Sequence, residues 1–153
     1  MERINITLVS LFLVLFLCLP FTSAAQKEVG RDGLYVAYAD EIVKDTKTGL
    51  EWIAGPDKNI NWKEAKSWVQ NLKLEGGGWR MPTTDELRTL YKKGAGSHNM
   101  MPLLKTTGWY VWSGETKGSS LARYFNFGDG SMWWYTRDRS GSRRAFAVRS
   151  RSD

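Results

Sequence analysis

The chain has one cysteine, one histidine and four prolines in 153 residues, and each shortage closes off a kind of chemistry. Cys18 lies inside an apolar run near the N-terminus, so the chain beyond that run can form neither a disulfide nor a thiolate metal site. With His98 alone, no histidine pair can ligate zinc, and a serine triad would rest on that single imidazole. It sits in Gly96-Ser97-His98-Asn99, which reads as a loop with a solvated histidine. Gly76-Gly77-Gly78 lacks the Lys-Ser or Lys-Thr that would make it a P-loop, and reads as a turn. Gly128-Asp129-Gly130 lacks the alternating acids of a calcium loop. Asp85 and Glu86 stand at a helix start, where capping and the helix dipole account for them without a catalytic role. No catalytic residue, metal site or cofactor is expected.

What is present begins with a leader. Glu2 and Arg3 precede an apolar run from Ile6 to Leu19, Pro20 ends it, and Thr22-Ser23-Ala24-Ala25 supplies small residues for cleavage after Ala25. Residues 1–25 therefore read as a signal peptide, and the expected location is periplasmic or secreted. The run from Ile4 to Phe21 is also just long enough for an uncleaved anchor, in which case the membrane contact is through this segment alone. Lipidation at Cys18 fits poorly, because Leu19-Pro20-Phe21 follows it. Beyond residue 25, 128 residues are enough for one core.

All eight tryptophans lie in that part, too much aromatic surface for a disordered tail. The formal charge is +6 and uneven: from Ser131 to Asp153 six arginines face two acids, leaving +4 there and +2 on the preceding 105 residues after the leader. In an exported protein such a basic region points to anionic polysaccharide, lipid headgroups or an acidic envelope protein, and not to nucleic acid.

Gln26 to Gly33 is polar and reads as a mobile lead-in. Leu34–Tyr38 reads as the first strand, with a second short strand at Ile42-Val43. Lys44–Gly49 has turn chemistry, and Leu50–Ile53 alternates as a half-buried strand does. A first helix starts at the cap Asn61, with Glu64 three residues on; Trp62, Ala65, Val69 and Leu72 form its apolar stripe, widened by Trp68, and the triglycine stops it. Thr83 and Glu86 have capping-box spacing for a short second helix carrying Leu87, Leu90 and Tyr91. A loop follows from Gly96 to Thr107, held by Met100, Met101 and Leu103. Leu121–Phe127 and Met132–Tyr135 flank a hairpin turn at 128–130, and Ala145–Arg149 is a final strand that brings the termini near each other. Strands, two helices, then strands predict one α+β domain with an antiparallel sheet. The expected divisions are a signal peptide at 1–25, a lead-in with the first strand at 26–42 and the domain proper at 43–150.

Asp45-Thr46-Lys47-Thr48-Gly49-Leu50-Glu51-Trp52, Trp62-Lys63-Glu64-Ala65 and Gly77-Gly78-Trp79-Arg80-Met81-Pro82-Thr83-Thr84-Asp85-Glu86-Leu87 occur in the order and spacing of the Lcl C-terminal domain family. Tyr110–Gly114, Phe125–Gly130 and Ala147-Val148-Arg149 are similar to its usual ending. That family takes its name from the end domain of a bacterial collagen-like adhesin and was long a domain of unknown function. The resemblance implies a fold similar to C-type lectin-like and formylglycine-generating domains: a small antiparallel sheet, two helices and a long looped region. Members are exported bacterial proteins, some resembling adhesion modules that bind sulfated polysaccharides. The cysteines of the formylglycine-forming relatives are missing beyond the leader, as are the Glu-Pro-Asn, Gln-Pro-Asp and Trp-Asn-Asp tripeptides of calcium-dependent sugar binding.

Trp52, Trp79, Arg80, Pro82, Thr83 and Glu86 read as structural, the Trp79 indole filling the core while the Arg80 guanidinium pins loop carbonyls or an acid. The candidate binding residues lie later. Trp109, Trp112, Trp133 and Trp134 cannot all point inward if their segments are strands. Exposed indoles stack on sugar rings, and Arg137, Arg139, Arg143 and Arg144 can hold sulfate or carboxylate. The competing expectation is that the tryptophans are core and the arginines a solvated loop. The function expected is a monomeric, non-catalytic module binding an anionic glycan or an envelope partner. The alternatives are an enzyme using carboxylates in a cleft near the glycine-rich loop, or a structural and assembly protein.

Overall fold

Short-range polar chemistry sets the turns and helix starts of this molecule, whose computed structural model describes residues 26–150; the leader expected at 1–25 lies outside the described residues. The strands are β1 (Glu28–Asp32), β2 (Tyr35–Tyr38), β3 (Val43–Asp45) and β4 (Leu50–Ala54), then β5 (Tyr110–Lys117), β6 (Leu121–Asn126), β7 (Ser131–Thr136), β8 (Arg143–Arg144) and β9 (Phe146–Ser150). Helices α1 (Trp62–Asn71) and α2 (Thr84–Leu90) lie between β4 and β5. At the β3–β4 turn the buried Asp45 carboxylate accepts from the Lys47 amide at 2.9 Å and the Thr48 hydroxyl at 2.7 Å, an Asx turn closed by Gly49 at a φ of 73°.

Both helices begin with the capping boxes their spacing predicts. Asn61 accepts from the Glu64 amide while Glu64 accepts from the Asn61 amide, and Thr83 and Glu86 do the same. In α1 the face formed by Trp62, Ala65 and Val69 is buried. The helix ends earlier than the triglycine, at Asn71, with the Leu72 amide bonded to the Val69 carbonyl. A single 3₁₀ turn, Leu74–Gly76, occupies the gap.

The strands form two sheets where the sequence predicts one. The first has the order β1-β2-β3-β4-β9, antiparallel throughout, and the second β7-β6-β5-β8, in which β8 runs parallel to β5. The expected lead-in is also corrected: Glu28–Asp32 is strand β1, paired to β2 with a bulge between Glu28 and Gly30, so the first sheet extends across the boundary drawn at residue 43. One core cluster joins Trp52 and Val148 of the first sheet to Val111 and Phe125 of the second under Leu87 and Leu90 of α2. On the opposite face of the second sheet, Trp62 and Ala65 of α1 pack on Trp112 and Ala122. Strand β5 is thus covered on both sides, and Val111 and Trp112, which point in opposite directions, are both fully buried.

Three residues read as structural carry that role in specific contacts. Trp79 is buried and its Nε1 donates to the Leu74 carbonyl at 2.9 Å. Arg80 holds Glu86 with two nitrogens, at 2.8 and 2.5 Å. Burial would raise the Glu86 pKa, but the Arg80 guanidinium and the Thr83 amide outweigh it and hold the carboxyl below its usual range. Most of the loop carbonyls are clasped by another arginine: Nη1 of the buried Arg149 donates to Leu74, Glu75 and Gly77, Nε donates to Glu51 at 2.7 Å, and the guanidinium lies 4.3 Å from the Trp79 ring centre.

Candidate binding surface

Of the four candidate tryptophans, Trp112 is corrected first. It is fully buried, its Nε1 donating to the Ile60 carbonyl at 2.9 Å, because β5 is an interior strand with a helix on each face. Trp109 is 39% exposed but stands apart, before β5, with its ring 4.6 Å from that of His98. His98 in turn shares a 2.7 Å hydrogen bond with the Ser97 hydroxyl through Nδ1.

Trp133 and Trp134 are 59% and 40% exposed. Both reach solvent because β7 is the outer strand of its sheet and extends past the helices covering β5. The register puts Trp133 beside Tyr124 and Trp134 beside Arg123, so the two indoles stand on opposite faces. A single outward patch containing all four rings does not exist.

Three of the four arginines are engaged within the molecule. Arg143, a buried residue, lies among aromatic rings, its guanidinium carbon 3.7 Å from the Tyr135 ring centre and 3.9 Å from that of Tyr124, with Trp112 and Tyr110 behind. Its Nη1 donates to the Gly141 carbonyl at 3.0 Å. Arg144 binds Asp57 at 2.8 Å, Asn59 and the Thr107 hydroxyl, tying the chain before α1 to the loop before β5. Desolvation would raise the Asp57 pKa, but Arg144 and the amide and hydroxyl of Thr107 prevail and hold it down at about 2. Arg137 covers the Trp62 ring at 4.1 Å and donates to the Ser119 carbonyl. Arg139 stays exposed.

Two other cations take the places expected of these. Arg123 lies 5.5 Å from the Trp134 ring centre, and Arg88 of α2 donates to Met132 Sδ at 3.5 Å on the same face. The face therefore presents an indole and a thioether between two guanidiniums, with Glu115 4.0 Å from Arg123 at its far side. Sequence reasoning misses Arg123 by one residue: counting outward from a turn at 128–130 sets it opposite Tyr135, whereas the hairpin pairs Asn126 with Ser131 and so sets Arg123 opposite Trp134. Arg88 carries no such signal, since its meeting with β7 depends on where α2 docks.

Sequence reasoning also missed two grooves. One, of about 460 Å³, lies between α1 and β5, with Trp62, Val69, Trp79 and Met81 inside and Lys66, Gln70, Arg80 and Thr116 at its rim. The other, of about 470 Å³, lies between the first sheet and the 103–105 loop and is lined mainly by alanine, valine and leucine with Glu41 and Lys105 at the edge.

The fold and this surface define a small α+β module of two sheets and two capped helices, with an aromatic outer strand beside arginines of β6 and α2. The Lcl C-terminal domain family model matches residues 41–149, and the chain belongs to that family. No curated protein matches the chain significantly.

Proposed function

We propose that this protein is an exported, non-catalytic binding module that takes an anionic glycan on the face of β7 bearing Trp134 and Arg123. In this reading residues 1–25 direct it to the periplasm or the exterior, and its fold is kin to the C-type lectin-like domains. Family membership supports an adhesin-like module. The observation that carries the ligand class is the pairing of a 40% exposed indole with a guanidinium 5.5 Å from its centre, beside Arg88. An indole face offers a sugar ring a flat apolar bed, while guanidiniums bind sulfate or carboxylate through paired N–H groups.

Retention on an immobilised sulfated or uronic-acid polysaccharide, followed as salt rises, tests the proposal. Trp134→Ala and Arg123→Ala each weaken retention about tenfold, as expected for losing one stacked or bidentate contact. Trp133→Ala, on the opposite face, leaves it unchanged. Absent retention, or retention indifferent to salt, overturns the reading.

A further inference from the structure

Strand β5 is irregular where it passes α1. Trp112 pairs with Tyr124 and Thr116 with Ala122, so Ser113, Gly114 and Glu115 stand against Arg123 alone. This bulge is held from both sides: Trp62 Nε1 donates to the Ser113 carbonyl at 2.8 Å, and the Gly114 amide donates to the Pro82 carbonyl at 2.8 Å. A bulge that lifts a glycine out of the ladder re-aims the strand and lets another group approach its backbone closely. Here Gly114 borders the groove of about 460 Å³ between α1 and β5, a size that suits a small organic molecule. The floor is fixed and apolar. Trp62 and Trp79 spend their indole N–H groups on the Ser113 and Leu74 carbonyls, which leaves ring carbon to line the groove beside Val69 and Met81.

The rim gives the groove its sign. No carboxylate lines it, and Lys66 and Arg80 stand at its edge. Arg80 is matched by Glu86, at 2.8 and 2.5 Å. Lys66, exposed on α1, has no acid partner among the described residues, and its Nζ lies 5.2 Å from the Trp62 ring centre. The groove beside the 103–105 loop is of similar size but balanced in charge, with Glu41 against Lys105. We propose that the groove between α1 and β5 binds a small amphipathic anion, whose apolar ring or chain lies on the two indoles and whose single carboxylate or sulfonate meets Lys66. One uncompensated ammonium beside an apolar floor selects one negative head joined to an apolar body. A sugar chain, with hydroxyls on every ring, would lose its water on that floor and gain no hydrogen bonds there.

Helix α1 and Trp134 lie on opposite faces of the second sheet, so this site does not depend on the glycan reading. Fluorescence titration of the full chain with anilinonaphthalene sulfonate, a dye of this chemistry that brightens when shielded from water, tests it. One dye binds per chain; decanoate displaces it, and decanol does so at least about tenfold less well. Lys66→Glu weakens decanoate about tenfold and leaves decanol unchanged. Gly114 does not have a positive φ, and a Cβ there meets Met81 Cβ at 3.4 Å, so a larger side chain enters the groove without backbone strain. Gly114→Leu therefore abolishes binding of the dye and of both competitors, with circular dichroism and polysaccharide retention unchanged. Lys66→Glu, on exposed helix surface, decides the matter by itself if Gly114→Leu does not fold. A chain that takes up no dye, dye binding that Gly114→Leu leaves intact, decanol competing as well as decanoate, or decanoate binding indifferent to Lys66→Glu overturns the proposal.

Discussion

Asp57 shows how one residue can hold a loop that has no secondary structure of its own. Its carboxylate accepts from Arg144, from the Thr107 amide and hydroxyl and from the Thr106 hydroxyl, over separations of 49 to 87 residues. Its folded pKa, about 2, lies below the ordinary 3.8, so the unfolded chain takes up a proton first as pH falls. The resulting stabilisation is complete above about pH 4 and is lost between there and about pH 2. Since the Asp57 side chain is 38% exposed, solvent screening reduces the contribution to about 1 kcal/mol. Urea unfolding from pH 6 to pH 2 should show that loss in the native protein, and Asp57→Asn should lower stability near neutrality and remove this part of the pH dependence.

At the scale of elements, local polar chemistry sets where both helices begin. Thr83→Ala deletes the oxygen that accepts from the Glu86 amide, and chemical denaturation should register a loss of about 1 kcal/mol. Both helix starts, the Asp45 turn and the β6–β7 hairpin were legible because each is written within a few neighbouring residues. The split into two sheets was not, since alternation tells which way a side chain points and nothing about what lies above it. Trp112 and Trp134 differ for that reason: both obey alternation, but β5 is roofed on both sides and β7 is not. Arg143 and Arg144 were misread similarly. Their partners Tyr124, Tyr135, Asp57 and Thr107 come from remote stretches of chain that only the folded topology collects. The proposed binding face keeps Trp134 from the sequence candidates and draws Arg123 and Arg88 from outside them.

For the whole molecule the decisive contact is between β9 and everything laid down before it. Arg149 joins Glu51 of β4, three carbonyls of the 74–77 turn and the Trp79 ring. Arg149→Ala takes the guanidinium from the buried Glu51 and releases the turn, at a cost of about 3–5 kcal/mol. That is a large fraction of a small domain's stability, and a matching fall in the urea midpoint is expected.

Because β9 also supplies Phe146 and Val148 to the main core and pairs with β4 along its length, the first sheet cannot close until residue 150 is available. A nascent polypeptide keeps Trp52 of the first sheet without its β9 cover until that late stretch emerges. Closure of the first sheet is therefore timed by the arrival of a single arginine-bearing strand.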